Sequence, residues 1–120
     1  YFPKVLRRDT SFYMLGWTPA TYDAHNAMNA IMRCVDDKGA GQFNLGAYCN
    51  PKVDELTLKV QAETAKNKRN AYIKEASDLH AADVGHIPLH QQALAWGVNK
   101  KVKLVQLADN FMYFKWISLP

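Results

Sequence analysis

Apolar residues return along this chain in two different rhythms. Past Asn50 they recur at helical spacing, first as Val53, Leu56 and Val60, then as Tyr72, Ile73, Ala76, Leu79 and His80. Lys52, Asp54, Glu55 and Lys59 fall on the opposite, wet side. Asn50-Pro51 is a helix start, with Asn at the cap and Pro at the first helical position. Residues 64–67 interrupt the pattern, a second helix is predicted over residues 68–83, and Gly85 suits its C′ position. Two helices with a short link make an αα-hairpin. Elsewhere the apolar runs are short. Residues 12–15 (Phe-Tyr-Met-Leu) form a continuous run, as expected of a buried strand. Residues 94–98 and 111–117 are rich in aromatic and β-branched residues and read as further strands. Asp23 is placed to cap a helix carrying Ala27, Met28, Ile31 and Met32, and residues 1–10 read as the tail of another helix. Pro88 pushes Ile87 out of helical space, so residues 86–90 read as extended. The predicted order of strand, three helices and strands is mixed α/β.

Composition narrows this picture without redirecting it. The chain has 120 residues, 48% hydrophobic and 22% charged, an ordinary globular balance. No apolar stretch approaches the roughly 18–20 residues of a membrane span. There is no initiator Met and no signal-peptide pattern at Tyr1-Phe2-Pro3-Lys4, so the chain reads as an excerpt of something longer. The net charge of +4 is mild. Its one cluster, Lys100, Lys101 and Lys103, reads as a solvated turn between two strands rather than a phosphate-binding face, which needs a broader basic surface with stacking aromatics.

Candidate chemistry is sparse. His86 and His90 are four apart, but in an extended segment they lie about 13 Å from each other, too far to share an ion. Asp36-Asp37-Lys38-Gly39 resembles part of a calcium loop without its later bidentate Glu. No nucleophile elbow or phosphate-cradling glycine loop occurs. No metal, cofactor or enzymatic activity is expected, although a Cys34 or Cys49 thiol with His25 is the catalytic alternative. Cys34 and Cys49 flank a loop containing Gly39, Gly41 and Gly46, and a disulfide closing it is the economical reading if the compartment is oxidising. Trp17 stands on a Gly-Trp-Thr-Pro corner after the apolar run. It either packs on Phe12, Met14 or the following helix, or walls a pocket, and the corner favours the pocket. Tyr22, Asp23, His25 and Asn26 are the polar candidates beside it, whereas Tyr48 and Tyr72 are assigned to packing of the hairpin.

"LGWTPATYDAHN" followed by "YCNPKVDELTLKVQAETAKNKRNAYIKEASDLHAADVGHIPLHQQ" resembles the C-terminal part of the family 5 extracellular solute-binding proteins, the peptide-binding and related subunits of bacterial ABC importers. The resemblance runs from about Phe12 to Trp116 and rests on Asn-Pro-x-Val-Asp, the two helices and the downstream Ile-Pro-Leu. It implies a C-terminal fragment of a two-lobed periplasmic-binding-protein-like (type II) fold. Residues 1–90 would belong to the larger C-terminal lobe, and residues 91–120 would be strands returning through the hinge to the first lobe. It further implies export to the periplasm, which favours the Cys34–Cys49 disulfide. The implied partners are a peptide or other small-molecule ligand, the ABC permease subunits and the rest of the same chain, with no nucleic acid. Exposed faces of the fragment could also drive self-association. The implied ligand-binding residues are Trp17, Thr18, Ala20, Tyr22, Asp23 and His25. In peptide-binding relatives the position three after the tryptophan is commonly an aspartate that pairs with the peptide's free α-amine. Here it is Ala20, so either Asp23 supplies the charge or the cargo is a nonpeptide such as an opine, a sugar or a chelated metal. A polyanion-binding module using the three lysines is the alternative from another class.

Overall fold

The computed structural model describes residues 1–119. Its elements are α1 (Phe2–Leu6), α2 (Ala24–Ala27) running on into a π-helical turn (Met28–Met32), α3 (Pro51–Ala62), α4 (Lys66–Ala82) and a short 3₁₀ turn (Phe114–Trp116). The chain divides into two compact units, Tyr1–Ile87 and Pro88–Pro120.

The first unit is built on α3. Asn50 sits in extended backbone and its side-chain oxygen accepts the Lys52 N–H at 2.9 Å, with Pro51 at the first helical position, so the start is set locally. Val53, Leu56, Thr57 and Val60 form a fully buried stripe. Thr57 tolerates burial because its hydroxyl donates to the Val53 carbonyl at 2.8 Å. A three-residue link turns the chain into α4, whose Ala76 is buried against Leu56, Val60 and Met28, with Met32, Tyr72, Ile73 and Leu79 packed around them. The predicted αα-hairpin is present. Helix α4 begins two residues before the predicted 68, because Lys66, Asn67 and Lys68 are exposed and give no periodicity by which to locate the start. Its end is a Schellman arrangement: Gly85 N–H donates to the His80 carbonyl and Val84 N–H to that of Ala81. Val84, not Gly85, holds the left-handed position at φ 52°, which costs a β-branched residue about 1–3 kcal/mol. Gly85 is required for another reason: a Cβ there would lie 2.5 Å from the His80 ring.

The segment between Met32 and Asn50 is held by Asn44 and the Cys34–Cys49 disulfide, whose Cα atoms are 4.4 Å apart. Buried Asn44 donates to the Arg33 and Tyr48 carbonyls at 2.8 and 2.5 Å and accepts the Tyr48 N–H at 3.0 Å. Gly41, at φ 61°, leaves no room for a side chain, since a Cβ would lie 2.5 Å from the Arg33 carbonyl oxygen.

The α/β expectation is overturned. The chain is 39% helical with about 2% strand and no sheet among the described residues, so this is a mostly helical fold and not a type II two-lobed one. Residues 12–15 form no strand, and Phe12 and Met14 are 70% and 64% exposed. A strand exists only through pairing, and that run has no ladder partner among the described residues. Residues 94–98 and 111–117 form no strands either. In the second unit the pairing is a single antiparallel bridge between Lys103 and Ser118. The turn predicted at the lysines is present, closed by Val102 N–H to the Asn99 carbonyl, but no strands flank it. A second turn at Ala108 and Asp109 carries Asn110, whose side chain accepts the Trp96 indole N–H at 2.8 Å. None of the described residues in this unit is buried.

Leu56→Ala is expected to destabilise the protein by about 2–5 kcal/mol in urea unfolding, against no more than about 0.5 kcal/mol for Leu58→Ala on the exposed face of α3. Reducing the disulfide is expected to remove about 3 kcal/mol, the chain-entropy value for a loop of roughly 15 residues. Unfolding with and without reductant measures it.

Candidate functional site

Asp23 is an N-cap, as its place before an apolar-periodic run predicts. Its backbone is extended and its Oδ1 accepts the His25 N–H at 2.8 Å. The same oxygen accepts Arg69 Nη2 from α4 at 2.7 Å, while Arg69 Nε donates to the Val60 carbonyl at 3.0 Å. One guanidinium therefore ties α4 to α3 and to the start of α2. Hydrogen bonding from Arg69, then from the His25 backbone, holds the Asp23 carboxyl below its usual range.

Trp17 is half-buried. Its ring packs on Phe43 of the glycine-containing loop, with centroids 5.1 Å apart, and its indole N–H donates to Asn26 Oδ1 at 2.9 Å. This packing partner is neither Phe12 nor Met14, yet the ring also walls an open cleft of about 400 Å³ shared with Thr18, Ala20, His25, Asn26 and Asn29. That volume falls in the ordinary range of small-molecule sites. Asn29 Oδ1 accepts Arg33 Nη1 at 3.1 Å. His25 Nε2 is buried without a protein partner, and burial holds that imidazole below its ordinary pKa. A smaller depression of about 270 Å³ is lined by Thr21, Asp23, His25, Asn26, Gln61 and Arg69.

Of the residues predicted for the site, Trp17, Thr18, Ala20 and His25 meet in the larger cleft, and Asp23 joins His25 in the smaller one. Tyr22 lines neither; it is 65% exposed at φ 54°. Sequence reasoning missed Asn29, which lies three residues beyond Asn26 and so on the same helical face, and Gln42 of the loop. It also missed Arg69, 46 residues from Asp23, for which no local signal exists.

A second polar cluster sits where α4 ends. His86 is brought to His80 rather than towards His90: His80 Nε2 and His86 Nδ1 are 2.9 Å apart in rings only 19° from coplanar. His80 Nδ1 is buried without a partner, which favours the tautomer in which it is a bare acceptor and Nε2–H donates, since an orphaned N–H costs more. Tyr48 lies edge-on to His80 and, with Asn50, donates to Asp83 Oδ2 at 2.7 and 2.6 Å. Burial, with the Asp83 carboxylate next, pushes the Tyr48 hydroxyl up to about 12. Asp36, read from sequence as part of a calcium loop, turns its carboxylate onto its own backbone, accepting from Lys38 and Ala40 N–H.

No family model, curated protein or solved structure matches this chain.

The two imidazoles set an acid limit on stability. Burial is the chief cause lowering both pKa values; His86 adds to it at His80, where Asp83 opposes it. The folded state thus binds fewer protons than the unfolded chain, whose histidines titrate near 6.5. Their contribution is complete above that pH and is lost as pH falls below it towards the folded values. His25 acts in the same direction. The urea midpoint is expected to hold from pH 8 to 7 and to fall between pH 6.5 and 5. His86→Phe is expected to flatten that fall relative to the wild-type chain, and equilibrium unfolding at stepped pH measures both.

Proposed function

We propose that this chain serves in the substrate-binding subunit of a bacterial ABC importer, capturing a small solute in the cleft beside Trp17 for delivery to the membrane permease. The observation that carries the reading is the cleft itself. The Gly-Trp-Thr-Pro-Ala corner that resembles the cleft-bordering segment of solute-binding proteins contributes Trp17, Thr18 and Ala20 to one concave surface with His25 and Asn26. An aromatic wall with a few convergent polar groups is what such sites use. The Cys34–Cys49 disulfide suits the oxidising periplasm in which a subunit of this kind works. The role is binding, not catalysis.

The test is a thermal-shift screen of the full-length protein, disulfide intact, against short peptides, opines, sugars and chelated metals. A solute that binds the folded state raises its melting temperature, by about 2.7 kcal/mol of stabilisation at one hundred times Kd. At least one class is expected to do so, with the shift lost in Trp17→Ala. If every class leaves the melting temperature unchanged, the binding-subunit reading is wrong.

A further inference from the structure

The geometry points to an uncharged, hydroxyl-rich solute, such as a short oligosaccharide, as the occupant of the Trp17 cleft; this rests on the binding role proposed above. The first argument is the balance of charge. An ammonium group drawn out of water needs a carboxylate to replace its hydration. None of the residues described as lining this cleft carries one, because position 20 is alanine. Asp23 does not substitute for it. It lines the smaller depression and not this cleft, and its Oδ1 accepts Arg69 Nη2 at 2.7 Å and the His25 N–H at 2.8 Å, so its charge is already balanced by a guanidinium. An anionic solute is no better matched. Arg69 is paired with Asp23, and Arg33 lies 3.7 Å from both Asp36 and Asp54. Both guanidinium groups near the cleft are therefore balanced by protein carboxylates.

The second argument is the kind of polar group presented. Asn26 Oδ1 is held by the Trp17 indole and Asn29 Oδ1 by Arg33, which leaves the NH₂ end of each amide as the donor for a ligand. The lining side chains present no anionic acceptor to replace the hydration of an ammonium. A hydroxyl both accepts and donates, and it fits two amide donors beside neutral acceptors such as the Thr18 hydroxyl and the Gln42 side-chain oxygen. The third argument is Trp17. An indole fixed at its N–H and backed by Phe43 is a rigid, amphipathic surface against which the C–H face of a sugar ring can pack while its hydroxyls reach the amides.

The experiment is isothermal titration of the full-length protein with maltotriose, cellotriose and xylotriose, and in parallel with trialanine and N-acetyl-trialanine. At least one trisaccharide is expected to bind, and Trp17→Ala and Asn29→Ala are each expected to weaken it by about tenfold, a loss of about 1.4 kcal/mol. Circular dichroism of both variants checks that they remain folded. Trialanine is expected not to bind. If trialanine binds and its acetylated form does not, the ligand class is overturned while the binding-subunit reading stands. If a trisaccharide binds equally to the wild-type protein and to both folded variants, the cleft is not the site and the inference falls. If no trisaccharide binds, the inference falls as well, and the wider solute screen then decides the fate of the binding-subunit reading separately.

Discussion

The buried stripe of α3 is the post to which the rest of the first unit is fastened. Val53, Leu56 and Val60 each remove an aliphatic side chain from water, worth about 1.5–3 kcal/mol apiece, whereas a single net hydrogen bond contributes about 1 kcal/mol. The polar ties therefore follow the packing rather than create it. Once α3 is seated, its other groups become anchors. Asp54 accepts the Cys34 N–H at 2.9 Å and lies 3.7 Å from Arg33, fixing the entry to the disulfide loop. Asn50 at its start shares Asp83 with Tyr48, fixing the end of α4. The Val60 carbonyl holds Arg69, whose far nitrogen reaches Asp23 and so sets the start of α2 at the cleft wall. The cleft is shaped by side chains that α3 positions from behind, without contributing a residue of its own to the Trp17 wall.

What was legible in the sequence was what is decided locally. The Asn50-Pro51 start, the Val53–Leu56–Val60 spacing and the Asp23 cap each depend on residues within one or two turns, and each is present. The interaction that joins these pieces was not legible, because Arg69 and Asp23 are 46 residues apart and neither carries a local mark of the other. The His80–His86 contact was hidden for a related reason. Spacing directed attention to His86 and His90, while the Schellman turn folds His86 back onto the helix it has just left. The strand predictions failed on the same distinction. An aromatic and β-branched run such as residues 111–117 states a preference, but a strand is made by a neighbour that takes up its N–H and C=O groups. Only Lys103 and Ser118 find each other in that way among the described residues.

The candidate site was legible as a neighbourhood but not in its electrostatics. Trp17, Thr18, Ala20 and His25 were expected together from the resemblance carried by one continuous stretch, and they meet in the larger cleft, whereas Tyr22 of the same stretch does not. Whether Asp23 carries an available charge could not be read from that stretch. Two features of the chain remove negative charge from the cleft by different physics: at position 20 the carboxylate is absent, and at position 23 it is bound by a cation that also holds two helices. The second is the more constraining. Turning Oδ1 away would give up both the cap and the Arg69 bond and leave a partly buried guanidinium without its carboxylate partner, the costlier half of breaking an ion pair. The contact that balances the Asp23 charge is thus the same one that joins α4 to α3 and to the start of α2. A carboxylate introduced at position 20 would be independent of that scaffold, whereas the one at position 23 is part of it.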